Sequence, residues 1–298
     1  MGSLLVGHVA IGIGFLLTGL WHLFNHIKLH SLHPTTYISP PWFPTPNFRY
    51  LEPVLISIAS FTYIVMELFI SPSHHHPLDN DWSIPSYHLH NFEHSSISLI
   101  FLVYTLFCIA FDRIYARAHQ PNVLLGLTQV IASVAFFQEW LLIHLHSTDH
   151  AGVEGQYHWL QQIVIIACFI ATVIGIGLPK SFIVSFVRSV SIAFQGVWFI
   201  VMAFALWSPG LIPKGCFLKL EDGRDVVRCK DEASLERAKA LANLEFSWIL
   251  ALMVVFSVVF YLVLFKCYDV EGHVYVGLGK EDEDLESQRK FGDGVLKC

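Results

Sequence analysis

The stretch IVSFVRSVSIAFQGVWFIVMAFALW, residues 183–207, decides the fold of this chain. It exceeds the ~20 apolar residues that an α-helix needs to cross a bilayer, and Arg188 is its only charged residue. Six further stretches have a similar length and apolar character: residues 4–26, 53–71, 92–111, 123–145, 159–178 and 246–265. The sequence therefore predicts an all-α fold, a polytopic integral membrane bundle of seven transmembrane helices.

The composition excludes several other classes of protein. Hydrophobic residues make up 54% of the 298 residues and charged residues 14%, whereas soluble chains carry about 25% charged residues. The net charge of −6 and the lack of a basic stripe argue against nucleic acid as a partner. Six cysteines are too few for a disulfide scaffold of this length. The partner that the composition predicts is the lipid bilayer.

Basic residues distinguish the two sides of the membrane. Side A is the side on which the first helix begins, and side B is the opposite side. The short connections on side B carry lysine and arginine, whereas the side-A connections 72–91 and 146–158 carry neither. The longer side-A loop 208–245 is an exception, with seven lysine and arginine residues that acidic residues nearly balance. The positive-inside rule then predicts an extracytoplasmic N-terminus and a cytoplasmic C-terminus.

The domain organisation follows from the positions of the spans. Residues 1–267 form the predicted seven-helix membrane domain, within which residues 208–245 are a polar extracytoplasmic loop. Cys216 and Cys229 of this loop either pair in a disulfide or remain two thiols, and the sequence leaves both open. Residues 268–298 are acidic and predict a disordered cytoplasmic tail.

Ionisable side chains accumulate at the side-A ends of the first five spans. They are His8, Glu67, His90, His94, Glu139, His144, His146 and His158. Because short connections join most of these helices, the side chains are expected to converge at one membrane depth. An ionisable group inside a span is costly to bury without a partner, which makes this cluster a candidate functional site.

Imidazole and carboxylate groups together suit a transition metal, with zinc, iron and copper all permitted. The candidates for direct ligands are His94, Glu139, His146 and His158. The further ligands, or residues that orient the ligands, are His8, Glu67, His90 and His144. Two facing neutral histidines also leave haem b open. With a metal in place, Glu67 or Glu139 is a possible general base for chemistry on a lipid-like substrate.

The helical period separates the polar residues of the fourth span. Glu139 and His146 are seven residues apart and lie on about the same face of a helix, whereas His144 points about 140° away from Glu139. Glu139 and His146 can therefore serve one pocket, and we expect His144 to have a different neighbour.

The same cluster has two other interpretations. A proton- or metal-coupled transporter would need a polar path to side B, for which His22, His26 and Gln195 are the obvious stepping stones. A structural membrane protein would use these groups only for hydrogen bonds between helices. In that case His22 belongs with Trp21 to an interfacial belt. The usual catalytic motifs are absent from the sequence, so enzymatic activity stays open.

Several motifs resemble the transmembrane protein 45 family, also known as domain of unknown function 716. They are Gly7-His8, Gly14, Gly19-Leu20-Trp21, Glu67, His94, Glu139, His144-Leu145-His146, His158, Arg188-Ser189 and Gln195-Gly196-x-Trp198-Phe199. The stretch from Asp149-His150 to Glu154-Gly155-Gln156-Tyr157-His158 is similar to the plant branch. The resemblance covers about residues 1–265. It implies an integral membrane protein with many helices and no settled biochemical activity.

Overall fold

The computed structural model describes residues 2–70, 76–115, 121–147, 152–221 and 224–276. Seven α-helices in this part of the chain are long and apolar enough to cross a membrane, which confirms the predicted seven spans. They are α1 Gly2–Leu32, α2 Leu51–Val65, α3 Leu89–Tyr115, α4 Pro121–Ser147, α5 Val153–Gly177, α6 Phe182–Trp207 and α7 Glu232–Val276. A π-helical segment, Met66–Ile70, extends α2, and a 3₁₀ turn, Ser86–His88, precedes α3.

The closest helix packing in the bundle joins α1 to α6. A Cβ atom added to Gly19 would lie 2.6 Å from the Cα atom of Ala193, and one added to Gly196 would lie 2.8 Å from the Cα atom of Leu16. Neither position has room for a larger residue without a backbone shift. Small residues at these two points let the helix backbones approach each other, as is common between membrane helices.

The remaining helices pack mostly in chain order. α2 packs on α3, α3 on α4, α4 on α5 and α5 on α6, while α1 contacts α6 extensively and α2 only sparsely. α1 is therefore attached to the late helices of the bundle. This arrangement leaves a space between α1 on one side and the α2–α3 pair on the other.

The segment between α1 and α2 folds back beneath the side-B end of the bundle. Its aromatic residues Tyr37, Trp42 and Phe43 are buried, and the backbone N–H of Ser39 donates a hydrogen bond of 2.8 Å to the carbonyl of Pro179. Because these rings cover polar groups of the helices, the segment closes the bundle on that side.

The region 208–245, predicted as a polar loop, contains regular structure. Strands β1, Cys216–Glu221, and β2, Arg224–Cys229, form an antiparallel pair in which Cys216 faces Cys229, and a disulfide joins these two residues. The sequence left this pairing open.

α7 begins well before the apolar stretch at 246–265 from which it was predicted. Asp231 Oδ1 accepts a hydrogen bond of 2.7 Å from the backbone N–H of Ser234, which caps the first turn of the helix. An apolar window does not detect this polar extension. At its other end α7 continues to Val276, past the predicted boundary at residue 267, and residues 277–298 of the predicted tail lie outside the described part of the chain.

Candidate functional site

A cavity of about 740 Å³ occupies the space between α1 and the α2–α3 pair. Side chains from α1 to α6 line it, and most of the lining is apolar. Leu17 of α1 and Leu55 of α2 belong to the lining and are nevertheless 61% and 56% exposed. The cavity is therefore open between α1 and α2, on the surface that faces lipid in a membrane.

Ionisable groups lie at both ends of this cavity. On α1 the lining includes His8 near side A and His22 near side B. These residues are fourteen positions apart, or about 21 Å along the helix axis. The hydrocarbon core of a bilayer is ~30 Å thick. The cavity therefore extends across most of the membrane interior.

At the side-A end, Glu67 lies in the π-helical segment that extends α2. Its Oε2 atom accepts a hydrogen bond of 2.8 Å from Asn91 Nδ2, and its Oε1 atom lies 3.6 Å from His94 Nδ1. Glu67 and His94 both line the cavity. Since π-helical turns occur frequently at functional sites, this local geometry supports Glu67 as a functional candidate.

Two further histidines face the same end of the cavity. The rings of His8 and His158 are 6.4 Å apart, and the ring of His8 lies 4.6 Å from that of Trp207. His158 Nδ1 is 2.9 Å from the carbonyl oxygen of Glu154. Because a carbonyl can only accept, Nδ1 is the donor, and a neutral His158 ring carries its lone pair on Nε2.

Glu139 lines the cavity from α4 and is 1% exposed. Gln195 Nε2 of α6 donates a hydrogen bond to its Oε1 atom. Its Oε2 atom is buried and has no hydrogen-bond partner among the described residues. A carboxyl group with an unpartnered oxygen at membrane depth is costly, so Glu139 is a strong candidate for contact with a ligand or a proton.

The structure brings together part of the predicted cluster. His8, Glu67, His94, Glu139 and His158 line one cavity. The other three predicted residues, His90, His144 and His146, are not in this lining.

Each of these three has a different position. His90 lies against His94, with ring centroids 4.1 Å apart. His144 stacks on Trp140, with its Nδ1 atom 3.0 Å from Gln162 Oε1, in keeping with the different neighbour that the helical period predicts. His146 lies in the last turn of α4, and its side chain is outside the described part of the chain.

The predicted metal centre is not assembled within the described residues. No three histidine, cysteine, aspartate or glutamate side chains in this part of the chain are arranged to hold a metal ion. The assignment of the cluster as metal ligands therefore stays a prediction.

At the side-B end, the carboxylate of Glu52 contacts three groups. Its Oε1 atom lies 2.7 Å from His22 Nε2, and its Oε2 atom accepts hydrogen bonds from Trp21 Nε1 at 3.0 Å and from the backbone N–H of Phe43 at 2.9 Å. The sequence predicted two alternative roles for His22, an interfacial belt with Trp21 or a stepping stone of a polar path to side B. It missed Glu52, which begins a span and resembles an ordinary surface carboxylate.

Arg188 of α6 is the second feature of the side-B end. The side chain is 5% exposed, lines the cavity and donates a hydrogen bond of 2.8 Å from Nη1 to Gln129 Oε1. Nη2 lies 3.3 Å from Ser39 Oγ and 3.4 Å from His26 Nε2. Arg188 was not among the predicted site residues, although its position as the only charged residue of the stretch 183–207 is a signal that could have identified it.

The Arg188 network continues into the segment beneath the bundle. Because Arg188 can only donate, His26 Nε2 is the acceptor, and His26 Nδ1 then donates to the hydroxyl oxygen of Tyr37, 2.8 Å away. Burial of Tyr37 raises the pKa of its hydroxyl group above the ordinary value. Tyr37 is therefore neutral at physiological pH and adds no negative charge next to Arg188.

Together these features define a polytopic membrane protein of seven helices with an internal cavity that is polar at both ends. Residues 125–262 match the family model of DUF716, which is described as a family of unknown function. The match confirms the predicted resemblance to domain of unknown function 716 over these residues, which include Glu139, His158 and Arg188. The transmembrane protein 45 name and the plant branch stay predictions.

Proposed function

We propose that this protein binds a lipid-like amphiphile in the cavity between α1 and the α2–α3 pair. The observation that carries the proposal is an apolar cavity of about 740 Å³ with ionisable groups at both ends. Ligand sites typically measure ~300–1,000 Å³ and combine apolar walls with a few polar groups. Hydrogen bonds that only join helices would not require such a space.

The opening between α1 and α2 supports entry of the ligand from the membrane. Leu17 and Leu55 line this opening and are exposed on the apolar surface of the bundle. An acyl chain could pass between these helices without leaving an apolar environment. Binding of this kind is common to a lipid enzyme and to a lipid carrier.

Two glycine variants test the proposal. Gly14 lines the cavity, and a Cβ atom added there meets nothing within 4 Å, so Gly14→Leu adds a side chain at the cavity wall without a backbone clash. Gly126 of α4 has equally open surroundings and is not in the cavity lining, which makes Gly126→Leu the matched control. The purified proteins would be titrated with radiolabelled oleate and monooleoylglycerol.

We expect saturable binding of about one probe per chain to the wild type and to Gly126→Leu. Gly14→Leu should lose most of this binding because its side chain occupies the ligand volume. Equal binding to all three proteins would overturn the proposal, as would no saturable binding to the wild type.

The second candidate is chemistry on the bound molecule at the side-A end. It is favoured by the cavity-lining set of His94, Glu67, His158 and His8 and by the unpartnered oxygen of Glu139. In this candidate, Glu67 or Glu139 acts as general base, and zinc, iron, copper or haem b is held by the predicted histidines.

Metal content measured on protein purified without a histidine tag tests the metal part of this candidate. His94→Ala should lower the metal content from about one ion per chain, while His76→Ala, at an exposed position between α2 and α3, should not. Wild-type protein free of metal and of a Soret band would contradict a metal or haem cofactor.

The proposed orientation places the N-terminus outside the cytoplasm and the C-terminus inside. The disulfide between Cys216 and Cys229 lies on the same side as the start of α1, and stable disulfides are typical of oxidising compartments. This supports an extracytoplasmic side A, in agreement with the absence of lysine and arginine from the short side-A connections 72–91 and 146–158.

A further inference from the structure

Arg188 has an unusual environment for a buried cation. Its described partners are Gln129, His26 and Ser39, which carry no negative charge in the arrangement described above. Among the described residues, no carboxylate oxygen lies within 4.0 Å of its guanidinium group. A buried charge is normally paired, and a missing counterion is particularly costly inside a membrane.

The guanidinium group also retains capacity for hydrogen bonding. It has five N–H donors, and three hydrogen bonds join it to described residues. Two donors therefore remain at a side chain that lines the cavity. The free donors are the Nε–H and one Nη1–H, which point in different directions, so each can donate a single charge-assisted hydrogen bond to an oxyanion.

Glu52 is the carboxylate that shares this end of the cavity. It is already bound by His22, Trp21 and the backbone of Phe43. These contacts occupy both of its oxygens, and neither oxygen forms an ion pair within 4.0 Å of the guanidinium group. Glu52 is therefore not the direct counterion of Arg188, and another anionic group can bind there.

We propose that Arg188 binds the anionic headgroup of the amphiphile, a carboxylate or a phosphate, at the side-B end of the cavity. This inference rests on the proposed function, because it assigns one end of the same ligand. Ile192, one turn further along α6, and Ala132 and Phe136 of α4 continue the apolar lining towards side A. The acyl chain of the ligand lies against these residues.

The test compares three probes that share one acyl chain: oleate, 1-oleoyl lysophosphatidate and monooleoylglycerol. The first two carry an anionic group, and the third is neutral. Binding would be measured on the full-length wild type, on Arg188→Gln and on Lys180→Gln. Lys180 is an exposed cation on side B outside the cavity lining, so its variant removes an equal charge away from the site.

We expect the wild type and Lys180→Gln to bind the anionic probes about tenfold or more tightly than monooleoylglycerol, the effect of one charge-assisted contact. Arg188→Gln should lose this preference and still bind monooleoylglycerol. If Arg188→Gln does not fold, Arg188→Lys replaces it. Lysine keeps the charge but has fewer donors and lacks the fixed planar geometry of the guanidinium group, so it should reduce the preference.

Competition with inorganic phosphate distinguishes a lipid headgroup from a free anion. Failure of phosphate to displace 1-oleoyl lysophosphatidate supports a lipid headgroup. Displacement by phosphate at concentrations similar to that of the lipid supports the anion site with free phosphate as its source. Equal wild-type affinities for the three probes would overturn the role of Arg188 and leave the proposed function intact. An unchanged preference of Arg188→Gln for the anionic probes would likewise overturn the role of Arg188 and leave the proposed function intact. Binding of none of the probes would overturn both.

Discussion

The side-chain amide of Gln195 on α6 donates a hydrogen bond to Oε1 of Glu139 on α4, across the interior of the bundle. Both residues are buried, and Glu139 also lines the cavity. The sequence predicted Gln195 as a stepping stone of a possible polar path and did not pair it with Glu139. Its pairing with Glu139 links the helix packing of the bundle directly to the candidate site.

This pairing predicts opposite effects for two substitutions. Glu139→Gln removes a carboxyl group whose Oε2 has no partner among the described residues, so the free energy of unfolding should stay the same or rise by about 1 kcal/mol. Gln195→Leu leaves the carboxyl without its donor and should lower that free energy by about 1–3 kcal/mol. Unfolding of the purified variants in detergent measures both. Equal losses of stability in the two variants would refute this account of the pair.

The close approach of α1 and α6 predicts that alanine substitutions at two glycines have opposite effects on stability. Alanine is normally favoured over glycine inside a helix by about 0.5–1 kcal/mol, and Gly126→Ala should stabilise the protein by that amount because its surroundings are open. Gly19→Ala should instead destabilise it by about 1–3 kcal/mol, since the new Cβ meets the backbone of Ala193. Thermal unfolding compares the two, and stabilisation by Gly19→Ala would show that the contact is not tight.

The disulfide between Cys216 and Cys229 should stabilise the side-A hairpin. It closes a loop with a sequence separation of 13, for which chain entropy gives about 3 kcal/mol. Cys216→Ser should lower the unfolding temperature in the absence of reductant and should reduce its sensitivity to reductant, while the disulfide at Cys267 stays in place. Cys108→Ser, which removes a buried free thiol, is the control that should keep this sensitivity. Wild-type stability that is unaffected by reduction would contradict the prediction.

The hairpin also contains a partly exposed carboxyl group, Glu221, whose pKa is shifted. Hydrogen bonds from Arg228 and then Lys219 hold the pKa of Glu221 at about 2, below the ordinary value of ~4.3. A lowered pKa means that the ionised form stabilises the folded hairpin above pH ~4, and that this contribution is lost as the pH falls through about 2. The difference in unfolding temperature between the wild type and Glu221→Gln should therefore shrink over this window. A difference that stays constant with pH would exclude the effect.

The membrane spans could be predicted from the sequence because a bilayer requires long apolar helices. The polar beginning of α7 could not, because residues 232–245 are helical for local reasons, such as the cap at Asp231, rather than for apolar length. The pairing of Cys216 with Cys229 depends on the β1–β2 register, which the sequence left open.

The candidate site was predictable only in part. The helical period separated His144 from Glu139, and His144 indeed contacts Gln162 instead. The cavity itself could not be predicted, because it results from the attachment of α1 to α6 rather than to α2. The roles of Glu52 and His26 were missed for a similar reason: the segment that covers them folds back over the bundle.

The occupancy of the cavity in protein taken from its own membrane tests the central claim most directly. Native mass spectrometry of the wild type, Gly14→Leu and Gly126→Leu, each purified in mild detergent, would measure the lipid that remains bound. We expect a retained molecule of lipid mass, about one per chain, on the wild type and Gly126→Leu, and its loss from Gly14→Leu. Identical spectra for the three proteins, with or without bound lipid, would contradict a ligand in this cavity.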